Sequence, residues 1–275
     1  MAYKDILVYL DDGDSNNARI TLALEMAAGY KARLTGVSPA AIKPRGLIHK
    51  DSQLMASMSE KAAEERIEKF LEIAAEHDVE ADSRIIHGKE SVAARKFAQY
   101  ARNFDLVVLR QANPESRNHQ LVETIGEQVL LLSGRPVFFM PYIGAHRIPC
   151  RHAMIAYDGT PSVTRAVHNV LPMLQDIEEV IILVVRTEGE KVAKGEVLAD
   201  DFLAHIQRHG VNASLKRTYG GTFDVPTVIQ NEVAENDIDL LIMGGYGTPS
   251  LKQKIFGGVT RTLLSSMIIP VIMSH

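Results

Sequence analysis

Two hydrophobic periodicities alternate along the chain. The short apolar runs Ile6–Leu10, Arg33–Val37, Leu106–Leu109 and Val137–Met140 have the pattern of strands buried on both faces. Between them lie apolar positions at helical spacing: Ala18, Leu22, Leu24 and Ala27 after the first run, and Ala62, Ile67, Phe70, Leu71 and Ala74 after the second. Later in the chain Val163, Val167, Val170 and Leu174 mark a helix and Val180–Val185 a strand. Val228, Val233 and Ala234 then precede the run Leu240–Met243, and Val259, Leu263 and Leu264 precede Ile269–Met273. Strand and helix alternating at this spacing predict right-handed crossovers and a parallel sheet with helices on both faces. In such sheets ligands bind beyond the carboxyl ends of strands where the strand order reverses. That rule singles out the residues following Leu10, Tyr157, Val185 and Met243.

The pattern occurs twice. Ile6–Asp11 aligns with Ala153–Asp158, the same apolar run ending in the same acid, and Asp105–Leu109 aligns with Asp239–Met243. Pro136-Val137 matches Pro270-Val271, Gly88 answers Gly220, and Val37 answers Val185. Five such pairs in one order indicate a tandem duplication. The boundary falls between Tyr142 and Cys150, where Pro141, Gly144 and Pro149 punctuate the chain, giving domains 1–146 and 147–275. Residues 1–146 carry 18 basic and 20 acidic side chains and 147–275 carry 12 and 14, so each half has the same net charge of −2.

Composition narrows the class. With 275 residues, 46% of them hydrophobic, either half can bury its own core. The net charge of −4 argues against nucleic acid or an anionic membrane surface as the partner. The single cysteine, Cys150, excludes an intramolecular disulfide framework and a cysteine-based zinc site. No apolar run of about 18 residues exists to span a bilayer, and Met1–Asp12 has no apolar signal core. These features predict a soluble, cytoplasmic protein.

The candidate chemistry lies after Met243, in Gly244-Gly245-Tyr246-Gly247 and then Gly257-Gly258-Val259-Thr260. Glycines at both ends of a loop leaving a buried strand let backbone N–H groups approach a ligand, and the second pair sits where a helix begins, a ready anion site. A glycine-rich turn chosen for tight packing is the other reading. Known phosphate loops do not fit: Gly88-Lys89 is followed by Glu90, and neither Asp11-Asp12-Gly13 nor Asp158-Gly159-Thr160 opens a Gly-x-Gly-x-x-Gly.

Gly244-x-x-Gly247, nine residues, then Gly257 resembles the Gly-x2-Gly-x9-Gly-Ser/Thr signature of the universal stress protein (UspA-type) family. Met154–Thr160, Ile6–Gly13 and the Pro-Val of the last strand resemble that family too, and the likeness covers nearly the whole chain, twice. The resemblance implies two tandem α/β domains, each a doubly wound, Rossmann-like parallel sheet of five strands ordered 3-2-1-4-5. It also implies packing as a homodimer or, in tandem members, as a pseudo-dimer of the two halves. Many members bind ATP or AMP, with Mg in some cases; others have lost the loop.

By the same resemblance Asp158 would hydrogen-bond a ribose hydroxyl, Val185 would meet the adenine edge through its backbone, and Met243 and Gly244 would line the ribose. The N–H groups of Gly247, Gly257, Gly258 and Val259 would cradle phosphates. Gly258 stands where the family carries Ser or Thr, which removes a hydroxyl donor, and Thr260 is the nearest replacement. The first half departs further, with Arg110, Asn113, Glu123 and Thr124 at the positions of Gly244, Gly247, Gly257 and Gly258. A large cation at the ribose position and an acid facing phosphate both oppose nucleotide, so no cofactor is expected there. The expected function is regulatory binding of adenine nucleotide in the second domain, without catalysis, because nothing in the loop supplies a positioned general base. The rivals are a slow ATPase or nucleotidyl-transfer enzyme and a nucleotide-free interaction scaffold.

Other residues carry weaker expectations. His205 and His209, four apart on a helix, could ligate one ion, but no third ligand follows at an obvious spacing and a solvated helix face is preferred. His152 with Cys150 lacks a partner cluster, and Cys150 reads as an unreactive thiol. Asp11, Asp12 and Asp14 suggest a cation site or complement a helix dipole, the second being favoured. Lys252, Lys254 and Arg261 either screen phosphate or form a solvated face. Met55 and Met58, on a helix expected over Asp51–His77, read as core packing, with a partner- or lipid-facing groove as the weaker alternative.

Overall fold

A computed structural model describes residues 3–42, 49–143, 149–246 and 258–275. The chain separates into two compact units, Met1–Tyr142 and Ile143–His275.

The first unit runs β1 (Asp5–Tyr9), α1 (Asn16–Tyr30), β2 (Arg33–Ile42), α2 (His49–Ala75), β3 (Ala81–Lys89), α3 (Glu90–Ala101), β4 (Leu106–Arg110), α4 (His119–Leu132) and β5 (Val137–Met140). Its strands are parallel in the order β3-β2-β1-β4-β5. The second unit runs β6 (His152–Ala156), α5 (Pro161–Asn169), α6 (Leu171–Leu174), β7 (Glu179–Arg186), α7 (Glu196–Arg208), β8 (Ala213–Tyr219), α8 (Val225–Glu235), β9 (Leu240–Gly244), α9 (Gly258–Ser266) and β10 (Val271–Ser274). Its order, β8-β7-β6-β9-β10, is again parallel throughout and repeats the 3-2-1-4-5 winding.

The aligned acids show the duplication atom by atom. Asp105 Oδ2 accepts the backbone N–H groups of Lys4 (2.7 Å) and Asp5 (3.1 Å) at the start of β1. Asp239 Oδ2 accepts those of Arg151 (2.8 Å) and His152 (3.1 Å) at the start of β6. Each carboxylate satisfies donors that would otherwise be orphaned where the central strand enters the sheet.

The runs read as strands are strands of the sheet, and every residue of β4 and β5 is buried. The edge strands β3 and β8 have no such run, because one face meets solvent and their residues alternate in exposure. Two expectations are corrected. Met55 and Met58 are 46% and 64% exposed, so they do not pack in the core. The Asp11 carboxylate does not serve a helix dipole: α1 begins at Asn16 without an acid in its first turn, and Asp11 is ion-paired with two buried arginines. Asp12 pairs with Arg66 at 2.8 Å.

Candidate functional site

In the second unit the strand order reverses between β6 and β9, and the crossovers leave a crevice at their carboxyl ends. A cavity of about 360 Å³ lies there. Asp158, Val185, Met243, Gly244, Gly258, Val259 and Thr260 all line it, although they come from four separate segments. Gly247 and Gly257, and with them Lys252 and Lys254, lie outside the described residues.

Local chemistry explains each position. Asp158 follows β6, and its Oδ1 accepts the backbone N–H (3.0 Å) and hydroxyl (2.7 Å) of Thr160, an Asx-type turn. Thr160 then caps α5 by accepting from the N–H of Val163 (3.4 Å), with Pro161 in the first turn. This turn spends only Oδ1 of Asp158. The strand β7 continues beyond its last pairing with β6, Ala156 with Leu183, so Val185 sits on an edge that β6 does not cover. Gly258, Val259 and Thr260 form the first turn of α9, whose N–H groups have no partner within the helix.

Gly244 has a packing reason as well as a cavity-lining one. A Cβ there would meet the Val163 nitrogen at 2.7 Å and Ser162 Cβ at 2.9 Å, so β9 can pass the start of α5 only with glycine. Thr260, the hydroxyl nearest to position 258, accepts the Tyr246 N–H through Oγ1 (3.3 Å), which fixes the exit from β9. At Gly258 itself a Cβ would meet nothing within 4 Å.

Two lining residues were not legible in the chain. Glu190 and Lys194 reach the cavity from the loop between β7 and α7. That loop is drawn in by Gly195 (φ +80°), where a Cβ would lie 2.8 Å from the Gly159 nitrogen and 3.1 Å from the Tyr157 ring. Just beyond it, Tyr157 stacks on Phe202 of α7 with ring centroids 4.2 Å apart. Glu190 Oε2 accepts the backbone N–H (2.8 Å) and hydroxyl (2.9 Å) of Thr187. Those two bonds, the backbone one first, hold its carboxyl below the usual range. Lys194 is the cation among the described lining residues; Asp158 and Glu190 are the acids.

The equivalent place in the first unit is filled. Arg110 ends β4 as Gly244 ends β9, and it is buried. Its Nε donates to Asp11 Oδ2, and one of its terminal nitrogens donates to Asn118 Oδ1 (2.9 Å). Arg19, fully buried, donates to Asp11 Oδ1, to Asn16 Oδ1 (each 2.8 Å) and to the Tyr9 carbonyl (2.8 Å). The acid that corresponds to Asp158 is thus consumed by the protein's own cations. Burial alone would raise the Asp11 pKa, but Arg19 and then Arg110 outweigh it and hold the carboxyl below its ordinary value.

Cys150 is buried; burial first, and then Asp239, push its thiol up to about 12, so it is protonated at neutral pH and unreactive. His152 donates from Nδ1 to the Asp237 carbonyl (3.2 Å). Among the described residues no helix is long and apolar enough to cross a membrane.

Residues 149–275 match the model of the universal stress protein family. No curated protein sequence matches the chain. Among solved structures the chain is similar to a universal stress protein from Archaeoglobus fulgidus, at 16% identity and a TM-score of 0.68, covering 98% of this chain and 94% of that one. It is also similar to a Pseudomonas aeruginosa protein described as a universal stress protein, at 11% identity and a TM-score of 0.56, covering 98% and 92%. At such identities the likeness is one of fold. The match to the universal stress protein family is carried by residues 149–275, and the first half of the chain repeats that domain's strand order.

Proposed function

We propose that the chain is a cytoplasmic regulatory protein that binds one adenine nucleotide, ATP or AMP, in its second domain and does not act as an enzyme. The observation that carries this reading is the convergence of Asp158, Val185, Met243, Gly244 and the first turn of α9 on one cavity at the crossover point. Its volume of about 360 Å³ suits the nucleoside part of such a ligand. The second carboxylate oxygen of Asp158 is available to a ribose hydroxyl, and the edge of β7 at Val185 offers backbone groups to adenine. Phosphates would meet the N–H groups that open α9, where the helix dipole favours negative charge, with Lys194 as a counter-ion. A magnesium ion would share that charge. Occupancy would order the turns that open α5 and α9, and a partner would read that change.

Two substitutions test the reading from opposite sides. Asp158→Ala removes a charged acceptor worth about 1.5–3 kcal/mol, so ATP or AMP affinity falls roughly 10- to 150-fold in calorimetric titration of the full chain. Gly258→Ser adds a hydroxyl where there is room for it. It is expected to tighten binding about fivefold, the equivalent of about 1 kcal/mol. Unchanged affinity in Asp158→Ala would remove the ribose role.

A further inference from the structure

A second cavity, of about 690 Å³, adjoins the one described above. It lies where the loops after β7 and β8 meet the starts of α8 and α9. Val225, Gly258 and Val259 line both cavities, so the opening of α9 is common to the two. Phe223 lines the second cavity alone and is 60% exposed.

Backbone bonds hold this second cavity in shape. The Glu188 N–H donates to the Gly221 carbonyl (2.8 Å) and the Gly220 N–H to that of Arg186 (2.9 Å), which ties the two loops together. A Cβ at Gly220 would run into Val228, and Gly221 takes φ +59°, so the turn that presents Phe223 needs both glycines. The Phe223 N–H closes that turn on the Gly220 carbonyl (3.1 Å), and Asp224 Oδ1 accepts the Thr227 N–H (3.0 Å) to cap α8. Thr187, also in the lining, holds Glu190 of the first cavity, so the two cavities share a wall.

We propose that the second cavity takes the second nucleoside of a dinucleoside polyphosphate. Its first nucleoside sits against Asp158 and Val185, and its phosphate chain crosses the first turn of α9; the inference rests on the nucleotide reading of the first cavity and extends it. The open face of Phe223 stacks with any base, since every base has a π-face. The charged residues of the described lining are Glu188 and Asp224, both acids, with no lysine or arginine beside them. They repel phosphate but not a neutral base, and carboxylates accept hydrogen bonds from ribose hydroxyls. A free mononucleotide is therefore rejected there, because its own phosphates meet the two acids. A nucleoside tethered through phosphates anchored at α9 arrives at high effective concentration, with the charge held outside.

The test compares two ligands with the same phosphate chain, diadenosine tetraphosphate and adenosine 5′-tetraphosphate, by calorimetric titration of the full chain. One diadenosine ligand per chain is expected, bound roughly 5- to 150-fold more tightly than the single-nucleoside ligand, the range that stacking of one base provides. Phe223→Ala, at an exposed position, should bring the two affinities to within twofold by weakening the diadenosine ligand alone. Phe223→Tyr, which keeps the ring, should preserve the difference. Asp158→Ala should weaken both ligands by the same factor, which keeps the two cavities' roles apart. Equal affinities in the parent, or a difference that survives Phe223→Ala, would overturn the proposal and leave the first cavity's nucleotide in place. Binding of neither ligand would overturn both readings.

Discussion

Replacing Asp11 by alanine is expected to destabilise the first domain by about 3–5 kcal/mol, because it strands two buried guanidinium groups. Arg19 has no solvent exposure and donates to Asp11 at 2.8 Å, while Arg110 reaches the other carboxylate oxygen. Neither cation finds another carboxylate among their described ion pairs. Arg110→Met should cost less, since Arg19 continues to neutralise the acid. Amide hydrogen exchange in β1 and α1 reads the effect in the full chain without interference from the second domain. The sign of the pH response follows from the same pair. The folded carboxyl has a lowered pKa, so its contribution is fully present above the unfolded value of about 4 and is lost as pH falls through the folded one. Parental β1 amides should therefore lose protection on acidification below pH 4, and the Asp11→Ala profile should be flatter there. Equal protection in the two proteins at pH 7 would refute the argument.

Gly244→Arg, which gives the second domain the residue of the first, is expected to abolish nucleotide binding, with a loss of more than 100-fold. The guanidinium would enter the cavity beside Asp158 and satisfy it from within, as Arg110 satisfies Asp11. A folding cost of about 1–3 kcal/mol accompanies it, because any Cβ at 244 lies 2.7 Å from the Val163 nitrogen. Gly244→Ala separates the two effects: it incurs the packing cost, seen in the melting temperature, but leaves most of the cavity open. Alanine and arginine variants with the same ATP affinity would show that the cavity is not where the ligand sits.

The fold was readable because strands covered on both faces are apolar throughout, so Leu106–Leu109 and Val137–Met140 stand out as unbroken apolar runs. Ala81–Lys89 and Ala213–Tyr219 did not, since an edge strand keeps one wet face and its residues alternate. The candidate site was readable where local backbone demands a residue type, as at Asp158 and Gly244. It was unreadable where a side chain arrives from elsewhere. Lys194 reaches the cavity because two glycines touch. Asp11 was misread because its neighbours in sequence suggest a helix end, whereas its partner Arg110 lies 99 residues away. Met55 and Met58 share a helical face, but that spacing does not tell which way the face points.

The two sites differ by one substitution pattern: an arginine that answers its own domain's acid in the first half, and a glycine in the second that leaves the acid to the nucleotide proposed above. Calorimetric titration of the full chain with ATP, with and without Mg²⁺, tests this most directly. The account predicts one nucleotide per chain, lost in Gly244→Arg and retained in Arg110→Met. Two nucleotides per chain, none at millimolar ATP, or one that survives Gly244→Arg would contradict it.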